Sequence, residues 1–120
     1  MSEIEERLKA LEDKVKFLEE RIEMLIEIAD SEKRPFTYLA LEYGLTKEQI
    51  KRIYDLMDEV SKAIREGKTF HHSEFEDRIY QIVPQRKGDY HFAEEIVSTL
   101  NKEGRWQEVY QHMKKSGMNI

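Results

Sequence analysis

Residues 4–29 read IEERLKALEDKVKFLEERIEMLIEIA, and this stretch decides the architecture of the chain. Its apolar residues recur at alternating intervals of four and three, which is the heptad pattern of a coiled coil. Heptad position a falls at every seventh residue from 8 to 29, and position d at every seventh residue from 4 to 25. The eight residues of this seam are Ile4, Leu8, Leu11, Val15, Leu18, Ile22, Leu25 and Ala29. The sequence therefore predicts that residues 1–30 form a coiled-coil oligomerisation helix.

The charged residues that flank the seam have one sign on each side. Position g holds Arg7, Lys14 and Arg21, and position e holds Glu5, Glu12 and Glu19. In a parallel pair, a g residue faces the e residue five positions later in the partner, so Arg7 would meet Glu12. Lys14 would meet Glu19 in the next heptad. An antiparallel pair would bring like charges together, so the pattern predicts interchain charge pairs in a parallel homodimer.

A second apolar stripe offers an alternative for the same helix. Phe17, Met24 and Ile28 lie beside the seam from the third turn onward. They would let the helix fold back on its own body, and the two arrangements can coexist. A fold-back gives no reason for basic g and acidic e positions, so self-association is our main interpretation. The wider apolar face, to which Ile26 also contributes, leaves a trimer open.

Length and composition limit what the rest of the chain can be. The 120 residues suit an N-terminal arm, residues 1–30, and one small helical body, residues 34–117. Charged residues make up 38% of the chain with a net charge of −5, so we expect no general attraction to nucleic acid or membranes. No cysteine is present, which excludes disulfides and thiolate chemistry. The chain lacks a membrane-length apolar run and a signal-peptide layout, so we expect a cytoplasmic protein.

Capping signals predict a body of about five helices and no strand. Pro35 suits the first turn of a helix that ends near Gly44. Thr46 with Gln49 predicts a capping box that opens a long helix to about residue 65. The predicted fold class is therefore all-α, with an N-terminal coiled-coil helix followed by a small helical bundle.

Three expectations concern the second half of the body. Ser73 with Glu76 predicts a second capping box, and Asp89 is the expected N-cap of the next helix. A last helix is expected over about residues 105–115, where Trp106 should be largely buried. A buried tryptophan would anchor the end of the bundle.

Several short stretches resemble a known family. Arg34-Pro35-Phe36, Gly44-Leu45-Thr46 and Gly104 with Gln107-Glu108 carry most of the resemblance. They are similar to the YhaI-like family of small uncharacterised helical proteins of Bacillus-type bacteria. The resemblance covers nearly the whole chain and implies an all-helical fold. It implies no known activity, so it identifies no catalytic residue.

Residues 39–53 suggest a DNA-binding helix-turn-helix as an alternative function. That reading would direct Lys47, Gln49, Lys51 and Arg52 at DNA. The same helix continues through Asp55, Asp58 and Glu59, which would repel phosphates. Nucleic acid is therefore not the expected partner.

The remaining polar residues do not form a recognisable reaction centre. The sequence contains no nucleophile elbow and no glycine-rich phosphate loop, so we predict no enzymatic activity and no cofactor. His71 and His72 lie near Glu74, Glu76 and Asp77, but solvated or capping histidines are expected there rather than a metal site. The main hypothesis is an adaptor or regulatory module that pairs with itself and binds an unidentified protein.

Overall fold

The computed structural model describes residues 2–29 and 31–120. Within those ranges the chain forms six α-helices, one 3-10 turn and no strand, which confirms the all-α fold class. A long N-terminal helix precedes a small bundle, and the chain divides into two compact units, residues 1–30 and residues 31–120. Among the described residues, none of the helices combines the length and apolar character of a membrane span.

The first unit is a single helix, α1, which spans Glu3–Ile28. Ser2 is its N-cap, and the Ser2 hydroxyl oxygen accepts a hydrogen bond from the Glu5 backbone N–H at 3.1 Å. Three glutamates in the first turn complement the positive end of the helix dipole. The helix ends at Ala29, whose extended backbone forms the C-cap.

The second unit packs five helices around one apolar core. The helices are α2 (Pro35–Glu42), α3 (Lys47–Arg65), α4 (His72–Ile82), α5 (Phe92–Lys102) and α6 (Gln107–Ser116), with a 3-10 turn at Pro84–Arg86. Helix α5 contacts α2, α4 and α6, while α3 contacts α4 and α6. The core includes the buried side chains of Phe36, Ile53, Met57, Phe75, Ile79, Phe92, Ile96, Leu100 and Met113. Burying each of these side chains stabilises the fold by about 1.5–3 kcal/mol.

The helix starts are partly those that the sequence predicts. The capping box at the start of α3 is confirmed, because Thr46 and Gln49 exchange side-chain-to-backbone hydrogen bonds of 3.0 and 3.1 Å. The capping box predicted at Ser73 is wrong. The N-cap of α4 is His71, whose Nδ1 accepts a hydrogen bond from the Ser73 backbone N–H at 3.1 Å. The imidazole nitrogen of His71 therefore caps α4 in place of the predicted serine hydroxyl.

Asp89 does not cap α5, which begins at Phe92 with His91 as the N-cap residue. The Asp89 carboxylate and carbonyl instead accept from the backbone N–H groups of His91 and Phe92, each at 3.2 Å. These bonds close a turn just before the helix.

Trp106, which was predicted to be largely buried, is partly buried and packs against the apolar core at the edge of the bundle. It is the N-cap residue of α6 and has a left-handed backbone with φ 51°. Its ring packs against Tyr54 with a centroid separation of 5.5 Å, and its Nε1 donates to Asp58 Oδ1 at 3.0 Å. Trp106 thus joins α6 to the surface of α3 instead of filling the centre of the bundle.

Candidate interaction surfaces

The seam of α1 is solvent-exposed in the single chain. Seven of its residues, Ile4, Leu8, Leu11, Val15, Leu18, Ile22 and Leu25, are each between 49% and 71% exposed. The eighth, Ala29, lies one residue beyond the helix at the C-cap. In proteins, most of the stability of a helix comes from packing its apolar face against another surface. The exposed seam of α1 is therefore the candidate oligomerisation surface.

Flanking charges already make contacts within α1. Arg7 Nη2 pairs with Glu3 Oε1 at 3.0 Å, and the Arg21 guanidinium lies 4.8 Å from the centre of the Phe17 ring. Both members of the Arg7–Glu3 pair are about three-quarters exposed, so this contact is worth a few tenths of a kcal/mol. An interchain contact of Arg7 would exchange one weak ion pair for another. Ion pairs of this kind therefore contribute little to the affinity of any association.

The net charge of the protein is concentrated in the first unit. Residues 1–30 contain ten of the 25 acidic residues but five of the 20 basic ones. The net charge of −5 therefore belongs to this segment, and residues 31–120 are neutral overall. Two such arms repel each other at long range, and salt screens that repulsion as well as the attraction between flanking residues. Apolar burial must supply most of any self-association.

Two further large apolar side chains of α1 lie off the seam. Phe17 and Met24 both take heptad position c and are 52% and 56% exposed. The side chain of Ile28, the third residue of the predicted second stripe, lies outside the described residues. Phe17 and Met24 do not line the interface of a two-stranded coiled coil, so they serve as controls for the seam.

In the bundle, a buried carboxylate caps α2 from a distant part of the chain. Glu103 Oε2 accepts a hydrogen bond from the Phe36 backbone N–H at 2.7 Å, and the Glu103 side chain is 8% exposed. The N-cap residue Arg34 cannot supply this bond, because a guanidinium group only donates. Local sequence patterns could not predict this contact, because its partners lie 67 residues apart in the chain.

Other carboxylates connect α3 to its neighbours. Arg78 donates two hydrogen bonds, of 2.7 and 3.0 Å, to Glu59, and the bond from Arg78 lowers the pKa of the Glu59 carboxyl. The hydroxyl of Ser61, which is buried, donates to Glu108 Oε1 at 2.5 Å and lowers the pKa of that carboxyl. These side chains hold α4 and α6 against α3.

A third polar cluster joins α2 to the segment before α5. The Arg86 guanidinium lies 4.0 Å from the centre of the Tyr43 ring and pairs with Asp89. The Tyr43 hydroxyl donates to Glu95 Oε2 at 3.2 Å. Burial, followed by the charge of Glu95, raises the pKa of Tyr43. The cluster positions a loop by stacking and charge pairing.

The histidines occupy structural positions. The rings of His71 and His72 stack with their centroids 4.5 Å apart. His72 Nδ1 lies 3.3 Å from Glu76 Oε1, and His112 Nε2 accepts from the Phe70 backbone N–H at 3.2 Å. In the part of the chain that the structure describes, no three His, Asp or Glu side chains are placed to hold a metal ion.

Gln49, one of the residues that the helix-turn-helix alternative would direct at DNA, is hydrogen-bonded within the bundle. The Gln49 side chain accepts from the Thr46 backbone N–H and donates to the Ile82 carbonyl at 3.3 Å. Reading a base with Gln49 would break these bonds. Arg52 lines a surface groove together with Asp55 and Glu59, where carboxylates offset its charge. The hairpin does not form a uniformly basic face.

Comparison with known proteins identifies the family of the chain. No curated protein and no solved structure matches the chain. The profile of a family described as "Protein of unknown function (DUF1878)" matches residues 8–116. The match begins at the second seam residue, Leu8, and includes every helix of the bundle. The chain therefore belongs to the DUF1878 family.

Proposed function

We propose that this protein is a homo-oligomeric interaction module without catalytic activity. Its α1 helix pairs in parallel with α1 of a second copy, and its bundle binds another protein. The observation that carries the proposal is the seam of α1, because seven large apolar side chains recur at heptad spacing and each is at least 49% exposed. A helix with such a face gains stability when the face packs against a partner surface.

The flanking charges support a second copy as the partner of the seam. Basic residues occupy all three g positions from 7 to 21, and glutamates occupy the e positions from 5 to 19. A parallel pair turns this arrangement into attractive contacts on both sides of the seam. An unrelated helix would need the same polarity of charge to fit equally well. A parallel dimer is the simplest assembly, and a trimer is the alternative stoichiometry.

A non-catalytic role fits the way in which the bundle uses its ionisable side chains. Glu59 binds Arg78, Glu108 binds Ser61, and Glu103 caps α2. These groups are committed to contacts between elements of the fold. A catalytic acid or base must instead reach a substrate atom within hydrogen-bond distance.

The narrower relationship and the setting are also parts of the proposal. We propose that the chain is a YhaI-like protein of a Bacillus-type bacterium and acts in the cytoplasm. The support is the resemblance at residues 34–36, 44–46 and 104–108, together with the family match. Copurification from a native bacterial extract would identify the bound protein.

A charge exchange tests the parallel pair. Changing Arg7, Lys14 and Arg21 together to Glu should weaken homo-association, because the variant carries acidic residues on both flanks. The reciprocal variant, with Glu5, Glu12 and Glu19 changed to Lys, should weaken it for the opposite reason. An equimolar mixture of the two should recover association as a hetero-oligomer in light scattering. Recovery that is no better than in either variant alone would refute the parallel arrangement.

Light scattering of the wild-type protein tests self-association itself. At tens of micromolar we expect a mass of at least two chains, and a monomer would refute the proposal. A column of immobilised heparin at low salt tests the alternative of DNA binding. We expect no retention, because the bundle is neutral overall and Gln49 is bonded within it.

A further inference from the structure

The segment that joins α3 to α4, residues 66–71, is fastened to the end of α6 through its backbone. The Phe70 backbone N–H donates a hydrogen bond to His112 Nε2 at 3.2 Å, and the neighbouring His72 N–H donates to Ser116 Oγ at 3.0 Å. Phe70 is 7% exposed and belongs to the apolar core. The two bonds therefore hold the start of α4, and the core residue that precedes it, against α6.

A third hydrogen bond at the same place also ends on an imidazole. His71 is the N-cap residue of α4, and its Nδ1 accepts from the Ser73 backbone N–H at 3.1 Å. His71 is exposed and His112 is partly buried, and both line one surface pocket together with Lys115. Solvent protons therefore reach both rings.

The hydrogen bonds to His71 and His112 require neutral rings. A backbone N–H can only donate, so the ring nitrogen that faces it must carry a lone pair, whereas an imidazolium carries a hydrogen on both nitrogens. Protonation of His112 removes the acceptor of the Phe70 N–H. Protonation of His71 removes the cap of α4 and places a positive charge at the positive end of the helix dipole. Histidine changes its charge between about pH 5 and pH 8.

We propose that His71 and His112 form an acid-sensitive latch, which releases residues 66–71 from α6 as the pH falls through the range in which histidine is protonated. Both bonds are present above that range and lost below it, because the fold uses the neutral form of each ring. The bond from His72 to Ser116 ends on a hydroxyl and does not respond, so the change is a local opening of the bundle. The latch lies within the bundle and goes beyond the proposed self-association of α1.

Charged groups on the surrounding elements carry both signs. The acidic groups are Glu66 at the end of α3, Glu74 and Glu76 on α4, and Glu108 on α6. The basic groups are Arg65 on α3, Lys68 in the segment before α4, and Lys115 on α6. The ring of His72 stacks on that of His71, and its Nδ1 lies 3.3 Å from the Glu76 carboxylate, which accepts from a neutral or a protonated ring. These charges nearly balance, so the loss of two acceptors sets the direction of the response.

Nuclear magnetic resonance of the histidine rings tests whether the neutral forms are those that the latch requires. In the full chain at about pH 7.5, where neutral imidazole predominates, we expect His112 to carry its proton on Nδ1 and His71 to carry its proton on Nε2. The nitrogen shifts of the rings distinguish these tautomers. A proton on His112 Nε2 or on His71 Nδ1 would overturn the proposal.

Amide hydrogen exchange, corrected for its intrinsic dependence on pH, measures the opening itself. We expect the protection of the Phe70 N–H to fall at least about tenfold between about pH 7.5 and pH 5, and that of the Ile96 N–H in α5 to fall less than about threefold. His112→Gln supplies an amide oxygen that accepts at either pH, so the fall at Phe70 should shrink to less than about threefold. His71→Asn should have the same effect on the Ser73 N–H.

His91→Gln is the matched control, because it removes one histidine away from the latch. The Nδ1 of His91 faces the Glu94 carboxylate at 3.1 Å, at the start of α5. This variant should leave the fall at Phe70 within about twofold of the wild type. Circular dichroism verifies that each variant keeps its helices.

Three results of the exchange experiment would overturn the latch. The first is a wild-type Phe70 protection that is equal at the two pH values, and the second is a fall in His112→Gln as large as in the wild type. The third is an equal fall at Phe70 and Ile96, which would show that the whole bundle opens. A chain that is monomeric but opens locally at Phe70 refutes self-association and supports the latch.

Discussion

Two neighbouring residues of α1 can distinguish association through the heptad seam from non-specific association through exposed apolar side chains. Leu18 is 51% exposed at heptad position d, and Phe17 is 52% exposed at position c. Both are large, apolar and equally accessible in the single chain. Only Leu18 faces a partner helix in a two-stranded coiled coil. We therefore compare Leu18→Ala with Phe17→Ala.

The magnitude follows from the area that pairing would cover. Burying a leucine side chain completely contributes about 1.5–3 kcal/mol, so covering the exposed half of Leu18 contributes roughly 0.8–1.5 kcal/mol in each chain. Both chains of a dimer carry the change, so Leu18→Ala should cost roughly 1.5–3 kcal/mol of association free energy. At tenfold for each 1.4 kcal/mol, the dissociation constant should rise about 10- to 150-fold.

Sedimentation equilibrium over a range of concentrations measures the dissociation constants of wild type and both variants. Phe17→Ala should change the constant less than about threefold, because position c lies outside the interface. Alanine favours helix at least as well as leucine or phenylalanine, so circular dichroism should show little loss of helix in the monomers. Equal weakening by both substitutions would show that association follows exposed apolar area, and no weakening by Leu18→Ala would show that the seam is not the interface.

Three further predictions concern the bundle. Glu103→Ala should lower the free energy of unfolding in urea by about 1–3 kcal/mol, because the Phe36 N–H loses its acceptor, and Glu103→Gln should cost less because the amide oxygen still accepts. Hydrogen bonding to Arg78 lowers the pKa of Glu59 below its ordinary 4.5, so this pair stabilises the fold fully above pH 4.5 and the contribution is lost as pH falls through the lowered pKa. The free energy of unfolding of Arg78→Gln should therefore fall less steeply than that of the wild type as the pH is lowered through this range. The difference should be less than about 1 kcal/mol, because the pair is partly exposed. Trp106→Ala should cost about 1.5–2.5 kcal/mol in urea unfolding, roughly half the value for a fully buried tryptophan, and a loss of 4 kcal/mol or more would contradict its position at the surface of α3.

Local sequence patterns predicted those helices and helix starts that depend only on residues close together in the chain. The heptad pattern predicted α1, because side-chain spacing along one helix does not depend on the rest of the fold. Thr46 and Gln49 predicted the start of α3, because a capping box spans only four residues. The start of α4 was missed because an imidazole acceptor, His71, replaces the usual hydroxyl. Glu103 was missed because its contact with α2 depends on tertiary packing.

The candidate surfaces differ in the same way. The exposed seam of α1 could be read from spacing and charge alone. The apolar groove between α2 and α3, which Leu41, Ile50 and Tyr54 help to line, could not be predicted from the sequence. Ile50 and Tyr54 fit the inner face of a bundle helix equally well. One signal was available: Leu41 lies off the face that buries Phe36, Leu39 and Ala40, which made it an apolar residue without a place in the core.

Cross-linking through a single introduced cysteine tests the parallel pairing of α1 most directly, because the chain has no cysteine of its own. In a parallel pair, residue 11 of one helix lies beside residue 11 of the other, so Leu11→Cys should oxidise to a covalent homodimer. In an antiparallel pair, residue 11 lies beside residue 22 of the partner, and the two copies of residue 11 are about 16 Å apart. We predict that Leu11→Cys forms a disulfide-linked dimer by itself. A Leu11→Cys protein that stays monomeric on oxidation, but forms a covalent heterodimer with Ile22→Cys, would contradict the account.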